Sequence, residues 1–394
     1  MNLSKAKKMT ATALVACLSA GMLFSCGNKT SEAPQLTKSG LDPQKFVGEY
    51  RGDSTALYIL KNAAGMEACI TNFGGRVVSL MVPDRDGNLR DVVLGFDSIQ
   101  AYFPEVNQSD FGASIGRYAN RINQGKFTLN GEEYQLPQNN FGHSLHGGTN
   151  MGTLGWQYRV YQAQQPNDST LVLTLIDADG NNGYPGTVNA TVTYALTADN
   201  ALDIDYKATT DKPTIINMTN HSYFNLSGDP TNQVLDHQLQ INASNYTPVD
   251  STYMTTGEIA AVAGTPMDFT TAKKVGQDIE MRDFEQIKNG NGFDHNWVLD
   301  TKGDLTQPAA VFSSPESGIR LTVFTNEPGI QVYSGNFLDG SVTGKKGITY
   351  NQRTGLCLET QKYPDTPNKP EWPTAVLNPG ETYNSHCTFK FDVE

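Results

Sequence analysis

From about Phe46 to the C-terminus, short apolar or alternating segments are separated by clusters of glycine, asparagine, aspartate and proline. Alternation with period two is typical of strands that bury one face, and regularly spaced turn clusters are typical of antiparallel all-β proteins. The predicted strands include Ala68–Leu80, Val92–Phe96, Lys126–Leu129, Glu133–Leu136, Leu171–Ile176, Thr187–Leu196, Ala201–Ala208, Gln238–Ala243, Arg320–Thr325, Ile330–Ser334, Gly355–Gln361 and Thr388–Val393.

Helical periodicity is scarce, because only Ile99–Val106 and Gly276–Lys288 fit it and both are short. The sequence has no internal repeat and no βαβ alternation, which argues against a parallel sheet. Asn130-Gly131-Glu132 predicts a hairpin between its flanking strands, since Asn-Gly accepts the positive φ angles that tight turns need. We therefore predict a fold that is mainly all-β, a large antiparallel β-sandwich in one domain over residues 46–394.

The segment Asn217–Leu226 carries an unusual polar row. Read as a strand, it places Asn217, Thr219, His221, Tyr223 and Asn225 on one face. A polar row costs free energy when it is buried in a core, so it usually meets water or a polar ligand. We predict that this row meets a ligand.

The first 25 residues have the pattern of a targeting signal. Three lysines between residues 5 and 8 precede an apolar run over Met9–Phe24, and Leu23-Phe24-Ser25-Cys26 resembles the lipobox at which bacterial lipoproteins are cut and acylated. We predict that Cys26 is a lipid anchor and that the protein is exported, in the periplasm and attached to a bacterial membrane. An ordinary cleaved signal peptide is the alternative. Residues 26–45, rich in small and polar residues, are predicted to be a flexible tether.

The negative charge of the chain disfavours several classes of binding partner. The 394 residues carry a formal charge of −12, which becomes −15 without residues 1–25, because those hold three lysines and no acid. This balance argues against nucleic acid, an anionic membrane surface or a highly phosphorylated substrate. No stretch after the leader is long and apolar enough to span a bilayer, so the membrane is expected as a partner only through the lipid anchor.

Cysteine and histidine usage gives little sign of metal chemistry. Among the six histidines only His143 and His146 are closely spaced, and no other histidine or cysteine lies near them in the sequence, so no metal site is predicted. Beyond the leader, Cys69, Cys357 and Cys387 would allow one disulfide, but nothing requires it. The chain has no nucleophile elbow, no phosphate-cradling loop and no dinucleotide fingerprint.

Three loop-like clusters are candidates for ligand binding. Gly116–Ile122 contains two arginines and an asparagine, and the guanidinium fork suits vicinal hydroxyls as well as carboxylates, with a surface salt bridge as the competing interpretation. Ser144–Gly148 sets a histidine against two glycines, where the backbone can let a ligand approach. Asn291–Asn296 offers the carboxylate of Asp294 as an acceptor for two hydroxyl groups.

A fourth cluster is the predicted strand Gly355–Gln361. Leu356 and Leu358 lie on one face, which directs Glu359 to the other. A carboxylate in so apolar a segment is costly unless it is paired or functional, and partial desolvation is one way to make a glutamate a useful base. A buried glutamate paired with an arginine is the competing interpretation.

Together these stretches resemble the aldose 1-epimerases, also called galactose mutarotases. The resemblance implies one large β-sandwich of the galactose mutarotase type, an open cleft for a free sugar and no cofactor. It also implies an isomerase that interconverts the α and β anomers of free hexoses such as glucose and galactose. The matching motifs, in the family's order, are Gly116–Ile122, Leu145–Gly148, Asn182–Gly186, Thr219–Leu226, Phe293–Asn296, Gln331–Asn336 and Leu358–Asn368.

The resemblance also implies roles for individual residues. His221 corresponds to the general acid of the family and Glu359 to its general base. One departure is Lys362, where many relatives carry histidine. The residues that fall where the family holds sugar hydroxyls are Asn120, Arg121, His146, Asp294 and Gln331.

Reference pKa values of about 4.3 for Glu and about 6.5 for His predict an ionised base and a partly protonated acid near neutrality. A neighbouring acid that favoured the imidazolium would help. The main rival interpretation is a non-catalytic sugar-binding lipoprotein that uses the same cleft. A glycoside hydrolase is disfavoured, because it needs two carboxylates and only Glu359 has the right setting. We expect a monomer or weak dimer.

Overall fold

Antiparallel strands form most of the regular structure in the residues that the computed structural model describes, 35–150 and 152–394. The prediction of a mainly all-β antiparallel fold is confirmed. In chain order the strands are β1 Gly48–Tyr50, β2 Asp53–Thr55, β3 Leu57–Lys61, β4 Glu67–Thr71, β5 Arg76–Pro83, β6 Leu89–Asp91, β7 Ala113–Ile115, β8 Arg121–Ile122, β9 Lys126–Leu129, β10 Glu132–Gln135, β11 Ser144–Leu145, β12 Gln162–Asn167, β13 Thr170–Asp177, β14 Val188–Leu196, β15 Ala201–Thr210, β16 Thr214–Ile215, β17 Thr219–His221, β18 Tyr223–Phe224, β19 Gln238–Ile241, β20 Asn245–Thr247, β21 Ala260–Ala261, β22 Lys273–Lys274, β23 Asp294–Val298, β24 Ala310–Ser313, β25 Ile319–Thr325, β26 Gly329–Tyr333, β27 Leu356–Gln361, β28 Val376–Leu377 and β29 Tyr383–Val393.

Helices are few and short in the described part of the chain. The single α-helix there, α1, spans Glu285–Asn289, so the predicted helix Gly276–Lys288 was too long. The other predicted helix ends at Tyr102, because Phe103 precedes a proline and takes the extended conformation that such a position favours. None of the described helices has the length and apolar character that crossing a membrane requires. The 3-10 helices are Pro43–Phe46, Ile99–Tyr102, Asn123–Gly125, Trp156–Tyr158, Asn181–Gly183, Val234–Asp236, Lys345–Gly347 and Thr366–Asn368.

Three sheets build the body of the fold. A nine-stranded sheet has the order β12-β13-β14-β15-β29-β25-β24-β19-β22, a six-stranded sheet has β18-β27-β26-β23-β20-β21, and a four-stranded sheet has β3-β4-β5-β6. Leu173 and Val192 of the large sheet share one buried apolar cluster with Val332 and Leu358 of the six-stranded sheet. One face of the six-stranded sheet therefore lies on the core, and its other face is free for polar side chains.

The register of the six-stranded sheet aligns the polar side chains of three strands. Glu359 on β27 pairs with Gln331 on β26, which pairs in turn with Asn296 on β23. Leu356 and Leu358 lie in the core, as the alternation of this strand predicted. Because side chains alternate, Glu359 points to the opposite face.

The predicted hairpin at Asn130 and Gly131 is confirmed. Leu129 pairs with Glu132, so the turn contains only these two residues, at φ 52° and 85°. Two positive φ angles in a two-residue loop are the geometry that matches the twist of the flanking strands.

The prediction of a flexible tether over residues 26–45 is wrong for its second part. Thr37, Ser39 and Leu41 are buried, and the Thr37 hydroxyl accepts a hydrogen bond from the Leu41 amide at 2.9 Å. The Ser39 hydroxyl bonds that of Ser79 at 2.9 Å. Composition did not predict this burial, because the hydroxyl groups of small polar residues can form hydrogen bonds inside a fold. The predicted signal, residues 1–25, and Cys26 lie outside the described residues.

Candidate active site

His221 and Glu359, which lie far apart in the sequence, meet on the polar face of the six-stranded sheet. His221 Nε2 lies 3.5 Å from Glu359 Oε1, and both side chains are buried. His221 ends β17, which pairs with β7, while Tyr223 in the next strand pairs with Cys357 on β27. This pairing holds the histidine over the strand that carries the glutamate.

The polar row of Asn217–Leu226 faces a ligand only in part. The segment is interrupted at Ser222, between β17 and β18. Asn217 Oδ1 accepts a hydrogen bond from the Lys362 amide at 2.8 Å, and Asn225 Nδ2 donates to the Thr354 carbonyl at 2.9 Å. The two asparagines therefore fix neighbouring loops, so the prediction that the whole row meets a ligand is wrong for them.

Burial reverses the protonation that reference values predict for this pair. It lowers the pKa of His221 to about 4, and it raises the pKa of Glu359 well above the ordinary value, with the negative charges of Asp294 and Asp110 adding to the effect. Reference values describe groups in water, where both charged forms are solvated. A single proton shared by the pair therefore favours Glu359. Ring opening would need the other arrangement of the same single proton, with Glu359 as a carboxylate and His221 as an imidazolium.

Asp294 and Gln331 lie beside this pair. Gln331 Nε2 donates to Asp294 Oδ1 at 2.7 Å, which leaves Gln331 Oε1 buried without a hydrogen-bond partner in the described part of the chain. Glu359 Oε2 is also buried without a hydrogen-bond partner among the described residues. Buried polar atoms in native proteins are nearly always bonded, so these two oxygens mark positions where a polar ligand is expected.

Arg121 and Asn120 border the same cleft, whereas Arg117 does not. Arg121 Nε and Nη2 donate to Asn140 Oδ1 at 3.1 and 3.0 Å, and its guanidinium lies 5.1 Å from the centre of the Tyr253 ring. Asn120 Oδ1 accepts a hydrogen bond from the Arg121 amide at 2.8 Å.

Arg117 instead forms a buried ion pair with Asp177 at 2.7 Å. The two arginines of this motif therefore differ in role, and neither makes the surface salt bridge considered from the sequence.

The imidazole of His146 is oriented by the backbone. Its Nδ1 accepts a hydrogen bond from the Asn120 amide at 3.2 Å, so the neutral ring carries its proton on Nε2. Its ring centre lies 5.1 Å from that of His221. The sequence suggested that the neighbouring glycines let a ligand approach, and this prediction is wrong for Gly147. A Cβ on Gly147 would lie 2.3 Å from the Gly116 carbonyl oxygen, so the space beside it is filled by backbone. Gly147 lets two backbone segments pack closely.

Asp110 completes the site and was missed from the sequence. A carboxylate oxygen of Asp110 and one ring nitrogen each of His146 and His221 all lie within 4.8 Å of one another. Three such atoms lie within about 2.8 Å of a common point, which is a hydrogen-bond distance. One oxygen atom at that point can bond all three groups.

No sequence signal identified Asp110, which follows the polar residues Asn107–Ser109 and belongs to none of the candidate motifs. Its Oδ1 is buried and has no hydrogen-bond partner among the described residues. Burial raises the pKa of Asp110 to about 6, against the opposing positive charge of Arg76. In its ionised form this carboxylate lies close enough to His221 to stabilise an imidazolium there.

All three cysteines in the described part of the chain, Cys69, Cys357 and Cys387, are buried free thiols. No disulfide links them. Cys357 Sγ lies 3.5 Å from His221 Nδ1, so this thiol packs against the candidate acid.

The chain is similar in sequence to named sugar isomerases. A profile described as aldose 1-epimerase matches residues 56–390. The chain is 42% identical over 325 residues to the galactose mutarotase of Mus musculus, covering 82% of this chain and 90% of that protein. It is 40% identical over 347 residues to the aldose 1-epimerase of Escherichia coli strain K12, covering 87% and 97%.

Solved structures show the same similarity. The GalM/aldose epimerase homologue from C. elegans superposes with a TM-score of 0.79 at 31% identity, over 86% of this chain and 99% of that one. The galactose 1-epimerase from Lactobacillus acidophilus NCFM superposes with a TM-score of 0.76 at 31% identity, over 88% and 97%.

Proposed function

This chain belongs to the aldose 1-epimerase family of isomerases, and on that premise we propose that it interconverts the α and β anomers of free hexoses through His221 and Glu359. The family assignment made from sequence motifs is confirmed. The observation that carries the proposal is the 3.5 Å approach of the His221 imidazole to the Glu359 carboxyl group. Both groups are buried beside polar atoms that have no partner among the described residues.

The reaction needs two proton transfers at one end of the sugar. Glu359 removes the proton of the C1 hydroxyl while His221 protonates the ring oxygen, so the C1–O5 bond breaks and an open-chain aldehyde forms. Rotation about C1–C2 presents the other face of the carbonyl, and ring closure reverses both transfers. A positioned acid or base typically contributes about 10²–10⁴-fold to the rate.

Substrate binding is expected to change the protonation of His221 and Glu359. A hydroxyl group that donates to Glu359 stabilises its ionised form and lowers its pKa, and the negative Asp110 stabilises the imidazolium of His221. The proton of the pair then moves to His221, which gives the base and the acid that ring opening requires. The two unsatisfied oxygens, Glu359 Oε2 and Gln331 Oε1, support this order of events.

The remaining polar groups are suited to the other hydroxyls of the sugar. Arg121 offers a planar set of donors, and Asp294 is a buried acceptor oriented by Gln331. His146 has its Nε2–H group available, since its Nδ1 accepts from the backbone. We propose that these four residues and Asn120 bind hydroxyl groups and do not transfer protons in the reaction.

The proposed activity is tested by following the optical rotation of freshly dissolved α-glucose and α-galactose with and without the protein. We expect the rotation to reach its equilibrium value much faster than by spontaneous mutarotation in the same buffer. A sugar-binding protein without turnover would bind the sugar, with no change in rate. That outcome, for both sugars, would contradict the proposal.

We expect Asp110→Asn to lower kcat/KM for glucose by about 10- to 100-fold, because a hydrogen bond to a charged group contributes about 1.5–3 kcal/mol. The alkaline limb of the pH–rate profile should also move to lower pH, since the lost carboxylate no longer stabilises the last proton on the pair of His221 and Glu359. Polarimetry across a pH series measures both effects.

Asp86→Asn is the matched control, because Asp86 is exposed in the turn before β6. It should leave both the rate and the pH profile unchanged. If Asp110→Asn lowered the rate without moving the alkaline limb, Asp110 would have no electrostatic role toward the pair.

We further propose that the protein is exported and anchored through Cys26, on the sequence features of residues 1–26. Cys26→Ser should remove the acylation site, so in cells fed a labelled fatty acid the variant should carry no label and should leave the membrane fraction. Cys17→Ser, which changes the other cysteine of the leader, is the control and should stay labelled. Unlabelled wild-type protein in the soluble fraction would favour an ordinary cleaved signal instead.

The partner expected for this chain is a neutral sugar. An acidic formal charge of −12 supports the absence of nucleic acid from its partners. A monomer or weak dimer stays a prediction, which sedimentation of the purified protein would test.

A further inference from the structure

The imidazole of His221 is contacted at both ring nitrogens by side chains of one strand. Its Nδ1 lies 3.5 Å from the sulfur of Cys357, and its Nε2 lies 3.5 Å from Oε1 of Glu359. Cys357 and Glu359 are two positions apart on β27, so their side chains lie on the same face of the sheet. The thiol is therefore placed to act on the nitrogen opposite the one that faces the reaction.

Cys357 is held firmly in place for this contact. Its backbone pairs with Tyr223 on β18 and with Tyr333 on β26, and its side chain is 0% exposed. Among the described residues, the thiol is the only side chain within hydrogen-bond distance of His221 Nδ1. Removing the sulfur would leave a buried ring nitrogen without a side-chain partner.

The thiol of Cys357 stays neutral. Burial raises its pKa well above the ordinary value, and the negative charge of Glu359 adds to the effect. A neutral sulfur is a weak hydrogen-bond acceptor, whereas a thiolate would form a strong ion pair with an imidazolium. Cys357 can therefore orient the ring without binding the proton on Nδ1 strongly.

The direction of this hydrogen bond follows from the chemistry of the acid. An imidazolium carries a proton on each nitrogen, so Nδ1–H of His221 must donate, and the sulfur of Cys357 is in position to accept. When Nε2 gives its proton to the ring oxygen, the remaining proton stays on Nδ1. Neutral His221 then presents the lone pair of Nε2 toward Glu359 and can take a proton back as the ring closes.

We propose that Cys357 is a positioning residue for proton transfer by His221, because its sulfur accepts the Nδ1–H hydrogen bond and keeps Nε2 directed at Glu359 and the ring oxygen of the sugar. This inference rests on the proposed function. A weak acceptor at Nδ1 also leaves the imidazolium a stronger acid than a carboxylate in the same place would. The competing interpretation is a small buried residue that only fills space.

Other charged and titratable groups surround His221, and no substitution at Cys357 alters them chemically. A shift of the pH–rate profile in a folded Cys357 variant therefore reports on the contact at Nδ1. These groups are Glu359 on β27, Asp110 before β7, His146 after β11, Tyr223 on β18, Tyr333 on β26 and Arg76 on β5.

Two substitutions at Cys357 separate the two interpretations, because each interpretation ranks them differently. Cys357→Ala removes the acceptor, so we expect kcat for glucose to fall about tenfold with KM within about twofold. The alkaline limb of its pH–rate profile should move to lower pH, since the imidazolium loses a partner. Cys357→Ser keeps an acceptor, so its kcat should stay within about threefold of the unaltered protein and its alkaline limb should not move to lower pH. A residue that only fills space predicts the reverse ranking, because alanine suits an apolar pocket better than serine.

Cys69→Ala and Cys69→Ser are the matched controls, because Cys69 is another free thiol that is 0% exposed, on β4 of a different sheet. Both should leave kcat and the alkaline limb unchanged below their melting temperatures. An alanine variant of Cys357 as active as the serine variant or more so, or an alkaline limb that does not move in Cys357→Ala, would overturn the inference.

Nitrogen-15 NMR of protein labelled at histidine gives a readout that does not depend on activity. The signals of His221 are identified by their loss in His221→Asn. With its pKa at about 4, His221 is neutral at pH 7, and we expect the tautomer with the proton on Nδ1 in the unaltered protein. Cys357→Ala should shift the population toward the Nε2–H tautomer. An Nε2–H tautomer in the unaltered protein would overturn the inference, whereas failure of the proposed function has a different signature, since the unaltered protein would then accelerate mutarotation of no sugar.

Discussion

Glu359→Gln is expected to lower the rate of anomer interconversion by at least about 100-fold, because the amide keeps the shape of the side chain and cannot accept the proton of the C1 hydroxyl. The substitution should not lower the stability of the fold. Burial raises the pKa of Glu359 in the folded state above its unfolded value, so ionisation at neutral pH opposes folding. Glutamine has no such ionisation, so the melting temperature of the variant at pH 7 should equal or exceed that of the unaltered protein. The difference should disappear as the pH falls below the pKa of Glu359 in the unfolded state.

Polarimetry and thermal unfolding at several pH values measure the two effects. Glu327→Gln is the matched control: Glu327 is another buried glutamate, paired with Lys362 at 2.7 Å and bonded by the Tyr383 hydroxyl at 3.2 Å. It should lower stability and, below its melting temperature, leave most of the activity. A near-normal rate in Glu359→Gln would remove Glu359 from the role of base.

His221→Asn is expected to lower the rate by about 10²–10⁴-fold, since the asparagine amide is too weak an acid to transfer a proton to the ring oxygen. Acid and base act as one unit here, so the variant with both substitutions should be no slower than the slower single variant. Stability should fall, because the smaller side chain leaves a void beside Tyr223 and Cys357.

The kinetics of the single variants and of the combined variant measure this coupling. Retained activity in His221→Asn would mean that another group protonates the ring oxygen, with His146 and Asp110 as the nearest candidates. Fully additive losses would mean that His221 and Glu359 act in independent steps.

The strand-borne part of the site was predictable from the sequence. Period-two alternation placed Glu359 opposite Leu356 and Leu358. Gln331 was assigned through the family resemblance, and the sheet register sets it beside Glu359. Such a pattern is local and survives folding whenever one face of a strand is buried. The same rule led to a wrong prediction at Asn217 and Asn225, which bond neighbouring loops and not a ligand. Alternation gives the face on which a side chain lies and not its hydrogen-bond partner.

Asp110 was not predictable, and neither was the approach of the separate loops to one another. Asp110 approaches His146 and His221 only through the pairing of β7 with β17 and the turn of residues 144–148, and no local pattern encodes that approach. The reversed protonation of His221 and Glu359 follows from burial, a property of the whole fold and not of the two residues.

A structure of the Glu359→Gln variant with bound glucose would show directly whether His221 and position 359 flank the reacting atoms, because that variant should bind the sugar and turn it over slowly. We expect the side chain at position 359 to lie within about 3 Å of the C1 hydroxyl and His221 Nε2 to lie at a similar distance from the ring oxygen. A sugar whose anomeric carbon faces Asp294 and Gln331, with neither proposed catalytic residue in reach of C1 or the ring oxygen, would contradict it.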